Sequence, residues 1–180
     1  MKLQIRDLAI LGLMTALLEA AKRSLDFLPN IELVTFLLIM FTIHFGLKTL
    51  AAALAFVIIE CFYWGLGIWS ISYLYVWPLL IFMTHLMSRI FPVRDKPAPG
   101  VKTSLTDKFI IVLPYALLSG LFGLFFGALC AVTTLVISGP AAAFGWWLTG
   151  IPFDLVHGTG NFVLCFLLFL PINRILSKLL

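Results

Sequence analysis

The chain has 180 residues, 62% of them hydrophobic and 11% charged, with a formal net charge of +4 and a mean hydropathy of +1.12. So little charge cannot cover a water-soluble domain of this length, and the long apolar runs that recur from end to end read as an integral membrane protein. No soluble domain is left over, so residues 1–180 form one all-α domain, a bundle of about six transmembrane helices at roughly 20 residues each.

The first helix is predicted over 6–27. Its start is basic, but the apolar run leads to Glu19, Lys22 and Arg23 with no small-residue cleavage site, so it reads as a retained helix and not a signal peptide. Glu19 stands three and four residues before Lys22 and Arg23, a spacing suited to ion pairs. Gly12, Ala16 and Ala20 recur every fourth residue on this helix, as Ser119, Gly123, Gly127 and Ala131 do on the fifth. Such ridges let backbones approach closely, either inside the bundle or against another membrane protein. Pro29-Asn30 separates a short second helix at 31–46, Gly46 precedes a third at 48–64, and Gly65 with Gly67 marks the turn to a fourth at 72–91. The segment PVRDKPAPGVKTSLTD is loop chemistry, and Ser138-Gly139-Pro140 divides helices at 108–137 and 143–177.

Alternating six spans puts Lys2, Arg6, Lys48, Arg89, Arg94, Lys96, Lys102, Lys108, Arg174 and Lys178 on one side. Ten of the twelve Lys and Arg residues thus mark the cytoplasmic face, where both termini then lie. The basic loop from Arg89 to Lys108 is this topology signal, without the interleaved aromatics of a nucleic-acid surface. All five tryptophans fall on the other side, with Tyr63, Tyr73 and Tyr75. An interfacial aromatic belt normally marks both faces of the membrane, so Trp64, Trp69, Tyr73 and Trp146 read either as a belt or as the wall of a pocket for a flat organic ligand, over which the loop at Gly65 and Gly67 can move.

The run FDLVHGTGNF carries Asp154, His157 and Asn161 at spacings of three and four, hence on one helical face, and ionisable groups inside a span usually face a cavity or a bound solute. That face is read as one wall of a binding site. Glu60 adds an acid to the same outer half. For Glu60 and Asp154 two roles stand side by side: ligand contact, or a buried acid satisfied by His157 or by Lys22 and Arg23. His44 and His85 read as packing or interfacial residues. Cys61, Cys130 and Cys165 lie singly in apolar segments, without metal or disulfide spacing. No HExxH, GxSxG or phosphate-loop pattern occurs, so no catalytic or metal-ligating residue is assigned. Proton chemistry at Asp154 and His157, in a self-sufficient carrier or an intramembrane enzyme, is the alternative.

With the AxxxA ridge at Ala16 and Ala20, LPNIEL from Leu28 to Leu33 and GIPFDLVHGTGNF near the end, the chain resembles the substrate-binding S component of an energy-coupling factor (ECF) vitamin transporter over nearly its whole length. The resemblance implies a non-enzymatic subunit of a prokaryotic plasma membrane. It would capture a micronutrient on the outer face and deliver it with a transmembrane T subunit and two cytoplasmic ATPases, which use the ATP. It also implies T-subunit docking through Ala16 and Ala20, on the ridge that Gly12 extends, and reorientation of the whole bundle during transport. The cargo expected is cobalamin or a related corrinoid, with folate, pantothenate, pyridoxine and riboflavin as alternatives.

Overall fold

The structure, a computed structural model, describes residues 4–93 and 104–179, with the backbone alone for residues 105, 107, 108 and 179. Lys2, Arg94, Lys96 and Lys102, part of the expected cytoplasmic charge, lie outside the described residues. Those residues form seven α-helices and no strand: α1 (Ile5–Ser24), α2 (Val34–Phe45), α3 (Thr49–Trp64), α4 (Ile68–Ile90), α5 (Leu105–Leu124), α6 (Phe126–Ser138) and α7 (Pro140–Leu179), with a 3-10 turn at Gly46–Lys48.

Local chemistry accounts for most of the boundaries. Gly46, Gly65 and Gly139 close α2, α3 and α6 at φ of +62°, +80° and +83° with ψ of −144°, 168° and 174°, a region that glycine alone enters without a Cβ penalty. Pro140 then opens α7, where its missing N–H costs nothing. α4 starts at Ile68, four residues before its predicted start, because the Gly67 N–H donates to Ser70 Oγ and the Ser70 hydroxyl donates back to the Gly67 carbonyl. α5 and α6 occupy the span expected as one helix, and they break at Phe125 with a bend of 40°.

Three helical runs are long and apolar enough to cross a membrane, Val34–Trp64, Ile68–Ile90 and Pro140–Lys178, and the bent α5–α6 pair makes a fourth if it counts as one span. The run Val34–Trp64 contains α2, the turn and α3, and it is folded back on itself. Laid straight, it would separate Val34 from Glu60 by roughly 39 Å at 1.5 Å per residue. Yet Val34 lines a cavity with Lys22, and Glu60 pairs with Arg23.

The remaining pairs set the directions. Asp7, Thr15 and Arg23 of α1 meet Lys48, Ala52 and Glu60 in that order, so α1 and α3 run parallel. Glu32 and His44, at the two ends of α2, meet His157 and Asn173, so α2 runs parallel to α7. Ser72, Tyr75 and Trp77 of α4 contact Thr133, Leu129 and Phe126 in descending order, and Gly123 and Gly127 face Gly158 and Asp154, so the α5–α6 pair runs antiparallel to α4 and α7.

The core is apolar and continuous, from Met14 and Leu18 through Leu38 to Phe41, Phe56, Leu80 and Tyr115. Tyr115 stacks on Phe169 at 5.1 Å and its hydroxyl donates to the Phe91 carbonyl at 2.8 Å, which ties α4, α5 and α7 together. Large apolar side chains also cover the outside, among them Leu17, Ile58, Phe82, Val136, Phe144 and Leu167, as a lipid-facing surface requires.

The two small-residue ridges have different fates. Ser119, Gly123 and Gly127 face α7, so their ridge serves packing inside the bundle. Gly12, Ala16 and Ala20 are exposed on α1, and a Cβ at Gly12 meets nothing within 4 Å. A Cβ at Gly158 stands 2.9 Å from both the Gly120 carbonyl oxygen and the Leu124 backbone nitrogen, atoms that cannot rotate away. Thermal melts in detergent should therefore show Gly158→Ala destabilised by about 1–3 kcal/mol through overpacking, while Gly12→Ala leaves the melting temperature unchanged or raises it. Equal melting temperatures for the two variants would contradict this packing.

Candidate functional site

The segment from Leu25 to Leu33, between α1 and α2, closes one end of the bundle. It turns through Leu28 N–H to the Leu25 carbonyl and Ile31 N–H to the Leu28 carbonyl, with Asn30 at φ +61°. Asparagine tolerates that conformation because its short side chain is polar and unbranched. Glu32 anchors the segment at both carboxylate oxygens: Oε2 accepts the Thr35 N–H at 2.9 Å, in the first turn of α2, and Oε1 lies 3.2 Å from His157 Nε2. Ile31 packs where a Cβ on Gly160 would fall, so that glycine makes room for the segment against α7.

Beneath the segment is a cavity of about 250 Å³. Lys22 and Asp26 border it from α1 and its exit, Tyr73 and Trp77 from α4, Phe126 from α6, and Asp154 and His157 from α7. The aromatic wall is continuous. Tyr73 and Trp77 are 5.1 Å apart edge-on, Trp77 and Phe126 are 5.7 Å apart, and Phe126 meets the His157 ring at 5.0 Å.

Asp154 joins this wall to the helix break. It is 6% exposed, and its Oδ1 accepts the Gly127 N–H at 3.0 Å. A helix start leaves its first N–H groups without intrahelical partners, and here a carboxylate from another helix takes one of them with favourable dipole alignment. Gly127 permits the approach, since a Cβ there would stand 2.4 Å from Asp154 Oδ2. Asp154 Oδ2 and Trp77 Nε1 are both buried without a hydrogen-bond partner.

Of the residues expected at the site, Asp154, His157 and Tyr73 line the cavity. Asn161 is one turn deeper: it is 1% exposed, its carbonyl accepts from Ser119 Oγ, and its amide is buried against Gly123 without a partner. Trp69 sits behind Tyr73, edge-on at 5.3 Å. Trp146 lines a second cavity, of about 370 Å³, on the far side of Phe126 and Asp154. Glu60 and Trp64 are drawn elsewhere. Glu60 is 2% exposed and paired with Arg23, whose guanidinium lies 3.9 Å from the Tyr63 ring centre and 5.5 Å from that of Trp64. Arg23 also meets Glu19 at 3.5 Å, whereas Lys22 pairs with Asp26 at 3.2 Å and not with Glu19. His44 is hydrogen-bonded to Asn173 at 2.9 Å and His85 to Arg89 at 3.1 Å, both away from the cavity. The loop over the cavity is the one before α2; Gly65 and Gly67 do not border it.

Trp77, Phe126 and Glu32 carry the site and stand outside the set predicted for it. Trp77 is four residues after Tyr73 on the same helical face, a spacing visible in the sequence. Phe126 has no such signal, because its position follows from the break at Phe125. Among the described residues no three His, Cys, Asp or Glu side chains come together as a metal site would need. Compared with protein-family models, curated proteins and solved structures, the chain matches none.

Glu32 lies outside the apolar runs. Burial raises its pKa, but the His157 contact and the Thr35 N–H outweigh burial and hold it below the ordinary 4.5. A lowered folded-state pKa means that the clamp contributes stability above the unfolded value and loses it as pH falls through the folded value. The melting temperature in detergent should thus fall as pH drops below about 4.5, and Glu32→Gln should flatten that fall while melting lower at neutral pH. Identical pH profiles for the two proteins would contradict the clamp.

Proposed function

We propose that the chain is a solute-binding membrane subunit, the S component of an ECF vitamin importer. In this reading it crosses the membrane six times, through α1, α2, α3, α4, the bent α5–α6 pair and α7, with both termini cytoplasmic. The directions of the helices support that alternation. One pole collects Arg6, Asp7, His44 and Lys48 around α1 and the turn after α2, and the other carries the cavity. Basic residues favour the cytoplasmic face, so the cavity opens toward the outside.

The cavity itself carries the reading. A concave site with aromatic walls, a few polar groups and a peptide segment folded over it suits capture of an organic solute. Nothing in it resembles a nucleophile activated by a base, since His157 is turned to Glu32 and Asp154 to the Gly127 N–H. At about 250 Å³ the cavity lies just below the usual range of roughly 300–1,000 Å³ for small-molecule sites. A corrinoid would overfill it, so the volume favours the smaller vitamins, folate, pantothenate, pyridoxine and riboflavin, over cobalamin.

Transport then rests on partners. A T subunit and two ATPases supply the ATP-driven step, and the exposed ridge of Gly12, Ala16 and Ala20 is the docking face. Small residues there let a partner helix approach closely. Calorimetric titration of the purified protein against cobalamin, folate, riboflavin, pantothenate and pyridoxine should give one saturable, stoichiometric response, with cobalamin silent. A flat response across the panel from folded protein would count against the reading. In cells that hold the whole transporter, Ala16→Trp and Ala20→Trp should abolish uptake and leave binding intact; normal uptake by both variants would remove the docking role.

A further inference from the structure

Two cavities meet at the start of α6. The first, of about 250 Å³, lies beneath the α1–α2 segment, and the second, of about 370 Å³, lies between α6 and α7. Phe126 and Asp154 line both, so these two side chains form the partition between them. Asp154 is held there by the Gly127 N–H. The Phe126 ring is half-buried and held by packing alone, edge-on to His157 at 5.0 Å and to Tyr73 at 6.3 Å, and tilted against Trp77 at 5.7 Å. Those three residues line the first cavity and not the second.

The two spaces differ in chemistry. Lys22, Asp26, Glu32 and His157 border the first, whereas Trp146, Gly150 and Phe153, one face of α7 at spacings of four and three, wall the second with Cys130 of α6. The Thr149 hydroxyl there is already bonded to the Gly145 and Trp146 carbonyls. Trp146 and Phe153 are exposed at the side of the bundle. A Cβ at Gly150 meets nothing within 4 Å, so the second cavity has room at that point.

Building on the binding-subunit reading, we propose that Phe126 sets the upper size of the solute, its ring ending the site at the first cavity. Pyridoxine, with a single ring, and pantothenate, an open chain, fit in front of that ring, and their hydroxyls suit a cavity bordered by charges of both signs. Riboflavin and folate, each a fused ring system with a long substituent, need the space beyond it. Among the vitamins above, the first two are admitted and the last two refused. Replacing Phe126 by alanine removes the ring, leaves a gap that the surroundings close only in part, and joins the two spaces into one inside the usual range of roughly 300–1,000 Å³.

The test is calorimetric titration of the detergent-purified wild type, Phe126→Ala and Gly150→Leu with pyridoxine, pantothenate, riboflavin and folate. The wild type should bind pyridoxine or pantothenate saturably at one per chain and give no response to riboflavin or folate. Phe126→Ala should gain saturable binding of riboflavin or folate, and should hold the small solute up to about tenfold more weakly for want of one aromatic contact. Gly150→Leu fills the second cavity from the α7 side. Alone it should leave the small solute's affinity unchanged, and combined with Phe126→Ala it should abolish the gain.

Binding of riboflavin or folate by the wild type, or loss of the small solute in Gly150→Leu, would mean that the solute already passes the ring; either would overturn this inference and leave the binding-subunit reading standing. A folded Phe126→Ala protein with the wild-type range would overturn it as well. Should Phe126→Ala fail to fold, the wild-type range and Gly150→Leu still decide. If none of the four binds to wild type that is monodisperse and helical, the inference fails: a response to cobalamin would then preserve the binding-subunit reading, and silence there too would remove both.

Discussion

The contact between the Asp154 carboxylate and the Gly127 N–H holds the arrangement together. It joins the middle of α7 to the first turn of α6 and satisfies a backbone donor that the break at Phe125 exposes. Without an acceptor there, the bent pair would leave an unmatched N–H inside an apolar bundle, at a cost of about 1–3 kcal/mol. The bend sets Phe126 against Trp77 and His157, and so closes the aromatic wall. Asp154 also borders the cavity, while its other oxygen is buried against Gly127. One side chain thus shapes the bundle and sets the chemistry of its candidate site.

Around that contact the polar groups fall into two sets, one beside the cavity and one away from it. Glu60 and Arg23 fasten α3 to α1 away from the cavity, with the Tyr63 and Trp64 rings over the guanidinium. Such a pair holds two helices in register, and removing one partner alone would strand a buried charge. Glu32 and His157 fasten the α1–α2 segment over the cavity instead. Because this clamp joins a non-helical segment to a helix, it is the easier of the two to open without disturbing the bundle core.

Periodicity carried much of this in advance. The spacing of Asp154 and His157 puts both on the inner face of α7, and both line the cavity. Asn161 has the right face but the wrong depth, since four further residues move it roughly 6 Å along the axis. Helix ends at Gly46, Gly65 and Gly139 were readable because each is a local requirement of the backbone. The break at Phe125 was not readable, because no proline marks it and the acceptor that supports it stands 27 residues away. Glu60 shows a related limit: its sequence neighbours leave several partners open, and only the packing of α1 on α3 selects Arg23. Trp64 stands off the cavity for the same reason, as it lies beside the Arg23 guanidinium.

On the proposed function, the cavity beneath the α1–α2 segment holds one small organic solute. Native mass spectrometry of the protein purified gently from its own membrane tests it most directly. A single non-lipid mass at one copy per chain is expected, released as an intact organic molecule and absent from protein in which Tyr73 and Trp77 are both replaced by alanine. Folded protein that carries lipid masses alone, or a solute retained equally by that double variant, would contradict it.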